Sequence, residues 1–250
     1  MSALRLDTSA PLGLAYACLL AALALWVWAR VRGGKRVFAI VNGLAWAAAV
    51  LLAIFVLAQA TLERRVLFVA AKDFLALAAL GILLASRLGG ADADGDAVPF
   101  TVALVALTHV LLWPQSGLQG DPAQTTLLYA LAAGLRALGA GAFVAAAPGW
   151  WKAQPAGLAD ERERAGLAAM GLGFALSSAW AWLNWGVAWR SDPRLNAMLA
   201  GWLLLLAGRQ AGHLGWARAL KTLGLVVILV GALCGDWIAR GWTHLPFVAW

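Results

Sequence analysis

Long apolar runs separated by short polar or glycine-containing segments set the pattern of this chain. Eight such runs stand out, at 11–29, 37–60, 66–86, 99–114, 124–147, 165–189, 195–210 and 217–239. Alanine and leucine dominate them, and a segment in lipid must satisfy its own backbone polar groups, so each run is expected to be a helix. The short alternating segments of a membrane barrel are absent. The fourth and seventh runs are short for a bilayer crossing and are expected to tilt, kink or sit inside the bundle. The expected fold is therefore all-α: a polytopic transmembrane helix bundle of about eight spans, forming one membrane domain over residues 1–250.

Composition supports that reading, since 63% of the residues are hydrophobic and only 12% charged, too few to cover a water-soluble surface. Charge then orients the helices. The segments 30–36, 87–98, 148–164 and 209–221 carry eleven Lys and Arg residues, whereas the opposite side carries six, so the first set is expected to be cytoplasmic. Both termini and the segment around residue 190 then face outward, as in a multi-pass protein of a bacterial inner membrane. Topology accounts for the positive charge, so no nucleic-acid partner is implied; the lipid bilayer is the expected surrounding. The first run lacks a small-residue cleavage site and reads as a retained span.

Several chemistries drop out. Cys18 and Cys234 lie in separate apolar runs and form no Cys-x-x-Cys pair, which suits small buried residues. Asp92, Asp94 and Asp96 resemble part of a calcium loop, but the glutamate that closes such a loop is missing. No glycine-rich phosphate loop, zinc spacing or nucleophile elbow occurs.

Charges within the runs are costly in lipid and require partners. Lys72 and Asp73 fall in the third run and Arg136 in the fifth; an Asp73–Arg136 ion pair is the structural expectation, and a proton or substrate pathway the functional one. The densest chemistry lies between Ser177 and Trp202, SSAWAWLNWGVAWRSDPRLNAMLAGW. On a continuous helix Trp182, Trp185 and Trp189 fall at i, i+3 and i+7, forming an aromatic shelf, with Trp180 pointing the other way. Arg190, Asp192, Pro193 and Arg194 follow as a charged hinge, since proline holds the residue before it extended. His109 and His244 share the predicted outer face with this hinge, whereas His213 is on the other side. Aromatic rings, a histidine nitrogen and two arginines are the groups that a heme requires for its ring, iron and propionates.

The run resembles the tryptophan-rich WGxxWxWDP-type segment of the cytochrome c assembly, or heme-handling, proteins, most closely the branch that works in the two-component cytochrome c synthase. Trp180, Trp185, Gly186, Trp189, Asp192, Pro193 and Trp202 fall in register with it, Arg194 is its basic residue, and Gly235 and His244 match its Gly and His beyond the final helix. Similarity covers roughly residues 165–245. Ser191 replaces the family's tryptophan before the Asp, Leu195 and Asn196 replace a polar pair, and QGDPAQTTLLYA holds no counterpart of a family histidine. The resemblance implies heme b, held by Trp182, Trp185, Trp189, Arg190, Asp192 and Arg194, with His244 and His109 as iron ligands. It implies presentation of heme at the outer face for attachment to apocytochrome c, together with a second membrane subunit of the cytochrome c synthase. On that reading the chain is the membrane component of a heme lyase rather than a self-sufficient enzyme. The alternatives are a heme-free scaffold subunit and a small-molecule or ion transporter using Lys72, Asp73 and Arg136.

Overall fold

The computed structural model describes residues 9–32, 35–62, 71–88, 97–112, 126–151, 157–189, 192–212 and 214–243; residues 9, 35, 59–62, 71–73, 88 and 234–243 are described by backbone alone. These residues form eight α-helices: α1 (Ser9–Arg32), α2 (Lys35–Leu62), α3 (Ala71–Leu88), α4 (Ala97–Leu112), α5 (Leu127–Trp151), α6 (Gly157–Trp185), α7 (Pro193–Gln210) and α8 (Ala217–Thr243). Each predicted run corresponds to one helix, and the described residues contain no strand.

Four helical segments are long and apolar enough to cross a membrane: Ala10–Arg32, Arg36–Ala58, Leu127–Trp151 and Gly157–Trp185. This is fewer than the eight predicted spans. Among the others, the apolar parts of α3 and α4 are Phe74–Arg87 and Ala97–Leu112. At about 1.5 Å per residue, neither reaches the roughly 30 Å of a hydrocarbon core without tilt or local thinning.

Consecutive helices pair as hairpins. α1 packs on α2, α5 on α6 and α7 on α8, while α3 sits centrally against α2, α4, α5 and α8. The α7–α8 seam shows why the pairing is close. A side-chain carbon on Gly201 would lie 2.6 Å from the Gly224 carbonyl oxygen, and one on Gly224 2.7 Å from the Gly201 carbonyl oxygen. Only two glycines facing one another let the backbones approach this far, the device by which small residues join helices in lipid.

Polarity is distributed inside out. Arg136, Glu163 and Ser177 are buried, whereas Leu14, Val31, Leu112, Leu127, Leu183 and many other large apolar side chains are exposed. Apolar surface on that scale is unstable against water and matches helices that face lipid or a partner.

The antiparallel order gives the bundle two ends. One, the tryptophan end, gathers the starts of α1, α3, α5 and α7 with the finishes of α2, α4, α6 and α8. The other, the basic end, gathers the opposite termini. At the tryptophan end α6 stops at Trp185 because Gly186 takes a left-handed conformation (φ 70°) and its N–H bonds back to the Trp182 carbonyl at 2.9 Å. The next helix starts at a defined cap. Asp192 is extended, its Oδ1 accepts the Arg194 N–H at 2.9 Å, and Pro193 occupies the first helical position, where no N–H is needed.

Candidate functional site

Two aromatic groups are built around the α6–α7 corner. In the first, Trp180 is buried and meets the Trp185 ring edge-on at 4.5 Å, while Tyr129, in the first turn of α5, packs on Trp180 at 4.9 Å. In the second, Phe174 lies between Trp189 at 6.3 Å and Trp202 at 5.9 Å. Hydrogen bonds orient two of these indoles: Trp189 Nε1 donates to Asn196 Oδ1 at 2.8 Å, and Trp202 Nε1 to the Leu167 carbonyl at 3.0 Å. Buried or half-buried indoles pack through the ring while the N–H finds an acceptor.

The shelf expected from Trp182, Trp185 and Trp189 is not formed. Its spacing assumes a helix running through residue 189, and Gly186 ends the helix four residues sooner. Trp182 is left 61% exposed beside exposed Leu183, Trp185 turns onto Trp180, and Trp189 folds back on Phe174. Trp180, expected to point away, is instead the centre of the first aromatic group. Tyr129, which sequence reasoning did not single out, completes it.

The polar lip is partly described. Asp192 caps α7 and Arg194 is half-buried in its first turn. Tyr129 interacts electrostatically with Arg136, Arg194 and Asp192, so the start of α5 and the start of α7 share one neighbourhood. Arg190 and His244 lie outside the described residues. His109 is half-buried in the last turn of α4, at the tryptophan end, but α4 packs on α1, α3 and α5. The histidine is thus at the tryptophan end, on a helix whose contacts are with α1, α3 and α5 rather than with α6 or α7. Among the described residues no group of three or more His, Cys, Asp and Glu side chains could hold a metal ion.

Arg136 is held by α6. Its Nη1 donates to Ser177 Oγ and to the Gly173 carbonyl at 3.4 Å, both on α6, while Ser177 itself donates to that same carbonyl at 2.9 Å. The Asp73 side chain, its expected partner, lies outside the described residues. Arg136 Nε is buried without a hydrogen-bond partner.

A second polar centre, at the basic end, escaped the sequence reading altogether. Glu163 is only 2% exposed, and its Oε2 accepts from Lys221 Nζ at 2.7 Å and from Trp150 Nε1 at 2.9 Å. Its Oε1 faces Arg209 Nη1 at 3.6 Å; Arg209 in turn donates to Asp160 Oδ1 at 2.6 Å, and Arg164 pairs with the other Asp160 oxygen. Beside them Arg162 donates to the Ala145 and Ser86 carbonyls, both at 3.2 Å. One carboxylate therefore joins α5, α6, α7 and α8. The stretch DERER had been placed in a cytoplasmic loop, whereas it forms the first turns of α6, putting Asp160 and Glu163 three residues apart on one helix face. That spacing was the available signal.

No family model matches the chain, and neither the curated proteins nor the solved structures contain a match to it.

Proposed function

We propose that this chain is a multi-pass inner-membrane protein that handles heme at its tryptophan end, presenting it at the outer face for attachment to apocytochrome c beside a second synthase subunit. The observation that carries the reading is the aromatic corner itself: two aromatic groups held by α5, α6 and α7, with Asp192 and Arg194 at the rim. The described residues fit a heme in ring contact and in charge. Trp185 and Tyr129, half-buried and backed by the buried Trp180, offer apolar surface, Trp182 offers an exposed indole at the mouth, and Arg194 offers a cation to a propionate. His244, placed by the resemblance just beyond the last helix, would be the iron ligand, since His109 is carried by α4, which packs on α1, α3 and α5; Arg190 is the second candidate propionate partner. When bound, heme supplies the vinyl groups to which the apocytochrome thiols add. The protein's own part is to hold the ring, fix its acid groups and keep it at the surface.

An absorption spectrum and pyridine hemochrome assay on the detergent-purified chain, beside His109→Ala, His244→Ala and Trp185→Ala, tests this. A stoichiometric b-type signal weakened by the His244 and Trp185 substitutions is expected. If the chain takes up no heme even when heme is supplied, the reading fails and the heme-free scaffold replaces it.

A further inference from the structure

Arg136 is a cation nine-tenths buried in the α5–α6 seam, and α6 satisfies only one side of it. Its hydrogen bonds to described residues leave from Nη1, toward Ser177 and Gly173. The Nε nitrogen is buried and has no partner. In a guanidinium the Nε–H and the Nη2 hydrogen on the same side form the fork that grips a carboxylate with two parallel bonds. The fork carries no hydrogen bond to any described residue, while the remaining nitrogen ties the side chain down. A guanidinium kept charged and half-satisfied in a helix seam is expensive, since each unmade bond of a buried polar group costs free energy. Stability alone would favour leucine or methionine at this position.

The residues above Arg136 indicate what would approach it. Tyr129 is seven residues earlier on the same face of α5, about two turns or ~10 Å closer to the tryptophan end. Trp180 is three residues beyond Ser177 on α6, one turn closer to the same end, and it packs against both Tyr129 and Trp185. Arg136 shares its electrostatic neighbourhood with Tyr129, Asp192 and Arg194, and the one carboxylate in that group is already the cap of α7. An aromatic stack therefore leads from the α6–α7 corner down to a cation whose carboxylate-gripping edge bonds to none of the described residues.

We propose that Arg136 receives an acid group of the ligand, a porphyrin propionate, reaching down the α5–α6 seam while the ring rests on Tyr129 and Trp185, which are backed by the buried Trp180. Ser177 is a positioning residue, holding Nη1 so that the Nε–Nη2 edge stays available. This rests on the heme-handling reading and deepens it by naming a propionate anchor inside the seam, away from the surface arginines.

The test uses the full-length chain in detergent and two metal-free probes, protoporphyrin IX and its dimethyl ester, with binding followed by quenching of tryptophan fluorescence. Metal-free probes separate acid recognition from iron ligation. The wild type is expected to bind the free acid roughly tenfold or more tightly than the ester, the discrimination of a desolvated charge-assisted bidentate contact. Arg136→Gln is expected to bind acid and ester alike, and Arg136→Lys, which keeps the charge and loses the fork, to retain only part of the preference. Because the first comparison is made on the wild type, it stands even where a variant fails to fold. Equal binding of acid and ester by the wild type, or a preference that survives Arg136→Gln, overturns the anchor while leaving heme handling in place. No binding of either probe, together with no hemin uptake, overturns both.

Discussion

Replacing Glu163 by glutamine tests whether the basic end is held together by one buried carboxylate. Glutamine keeps the size and an acceptor for Trp150 Nε1, so the packing and that hydrogen bond can persist; the negative charge cannot. Lys221, whose side chain is 16% exposed, then loses its 2.7 Å partner, and Arg209 loses one of its two. Removing one member of a fully buried ion pair costs about 3–5 kcal/mol. Here Arg209 keeps Asp160 and both cations retain some access to solvent or headgroups, which places Glu163→Gln at the lower edge, about 3 kcal/mol. For a chain of this size that corresponds to a melting temperature lower by roughly 6–12 °C. Thermal unfolding in mild detergent, followed by circular dichroism at one fixed scan rate, measures it. Lys221→Met alone should also destabilise, because it leaves the carboxylate buried beside a cation 3.6 Å away. The double variant should then lose less than the sum of the two, with a coupling of about 1 kcal/mol or more. A Glu163→Gln protein melting within about 1 °C of the wild type, or strictly additive effects in the cycle, would refute the idea that this pair is energetically joined.

Two further outcomes can be read in the same assay. Asp192→Ala removes the side-chain acceptor of the Arg194 N–H and should cost about 1 kcal/mol, with Asp192→Asn retaining most of the stability; equal losses for both would show that the cap contributes nothing. Gly201→Ala sets a carbon 2.6 Å from the Gly224 carbonyl oxygen, and since backbone cannot rotate aside the α7–α8 pair must separate, costing about 1–3 kcal/mol; an unchanged melting temperature would mean that the two helices are not packed this closely.

What could be read from the sequence was mainly what one-dimensional periodicity carries. Apolar runs bounded by basic residues located all eight helices, since burial or lipid contact along a whole helix leaves a continuous apolar record. The Asp-Pro step located the start of α7 for the same local reason, as proline and a side-chain cap act within one turn. The end of α6 was less visible. A glycine in an apolar run can continue a helix, and only the positive φ of Gly186 shows that this one does not. Carrying helical spacing past it produced the shelf of Trp182, Trp185 and Trp189. Tyr129 and Trp180 meet across two helices, a contact that no spacing within either helix encodes. Glu163 was hidden by its surroundings, because DERER at the edge of an apolar run reads as a solvated loop until Trp150, Arg209 and Lys221 are seen to converge on it.

The two buried polar centres differ in a way that separates structure from function. At the basic end the charges nearly cancel within the protein: Asp160 and Glu163 face Arg164, Arg209 and Lys221, and the indole of Trp150 supplies a further donor. Such a set holds helices in register through charges supplied within the protein, although Glu163 Oε1 and Arg162 Nε, like Arg136 Nε, are buried without a hydrogen-bond partner. At the tryptophan end Arg136 is fixed by a hydroxyl and a carbonyl, neither of which carries a negative charge, and its Nε is left without an acceptor. A buried cation that makes no ion pair with any described carboxylate is the kind of group that a ligand's anion completes. Tyr129, Trp180 and Trp185 pack together toward the tryptophan end of the same α5–α6 pair, so the half-satisfied arginine and the aromatic group lie on one seam. If the anion came from a lipid or a partner chain instead, the aromatic stack would have no part in its recognition. The wild type would then bind acid and ester alike, and substituting Tyr129 by leucine would leave both affinities unchanged. Tyr129→Leu is instead expected to weaken the acid and the ester about equally, because the ring loses its support while the propionate keeps its arginine.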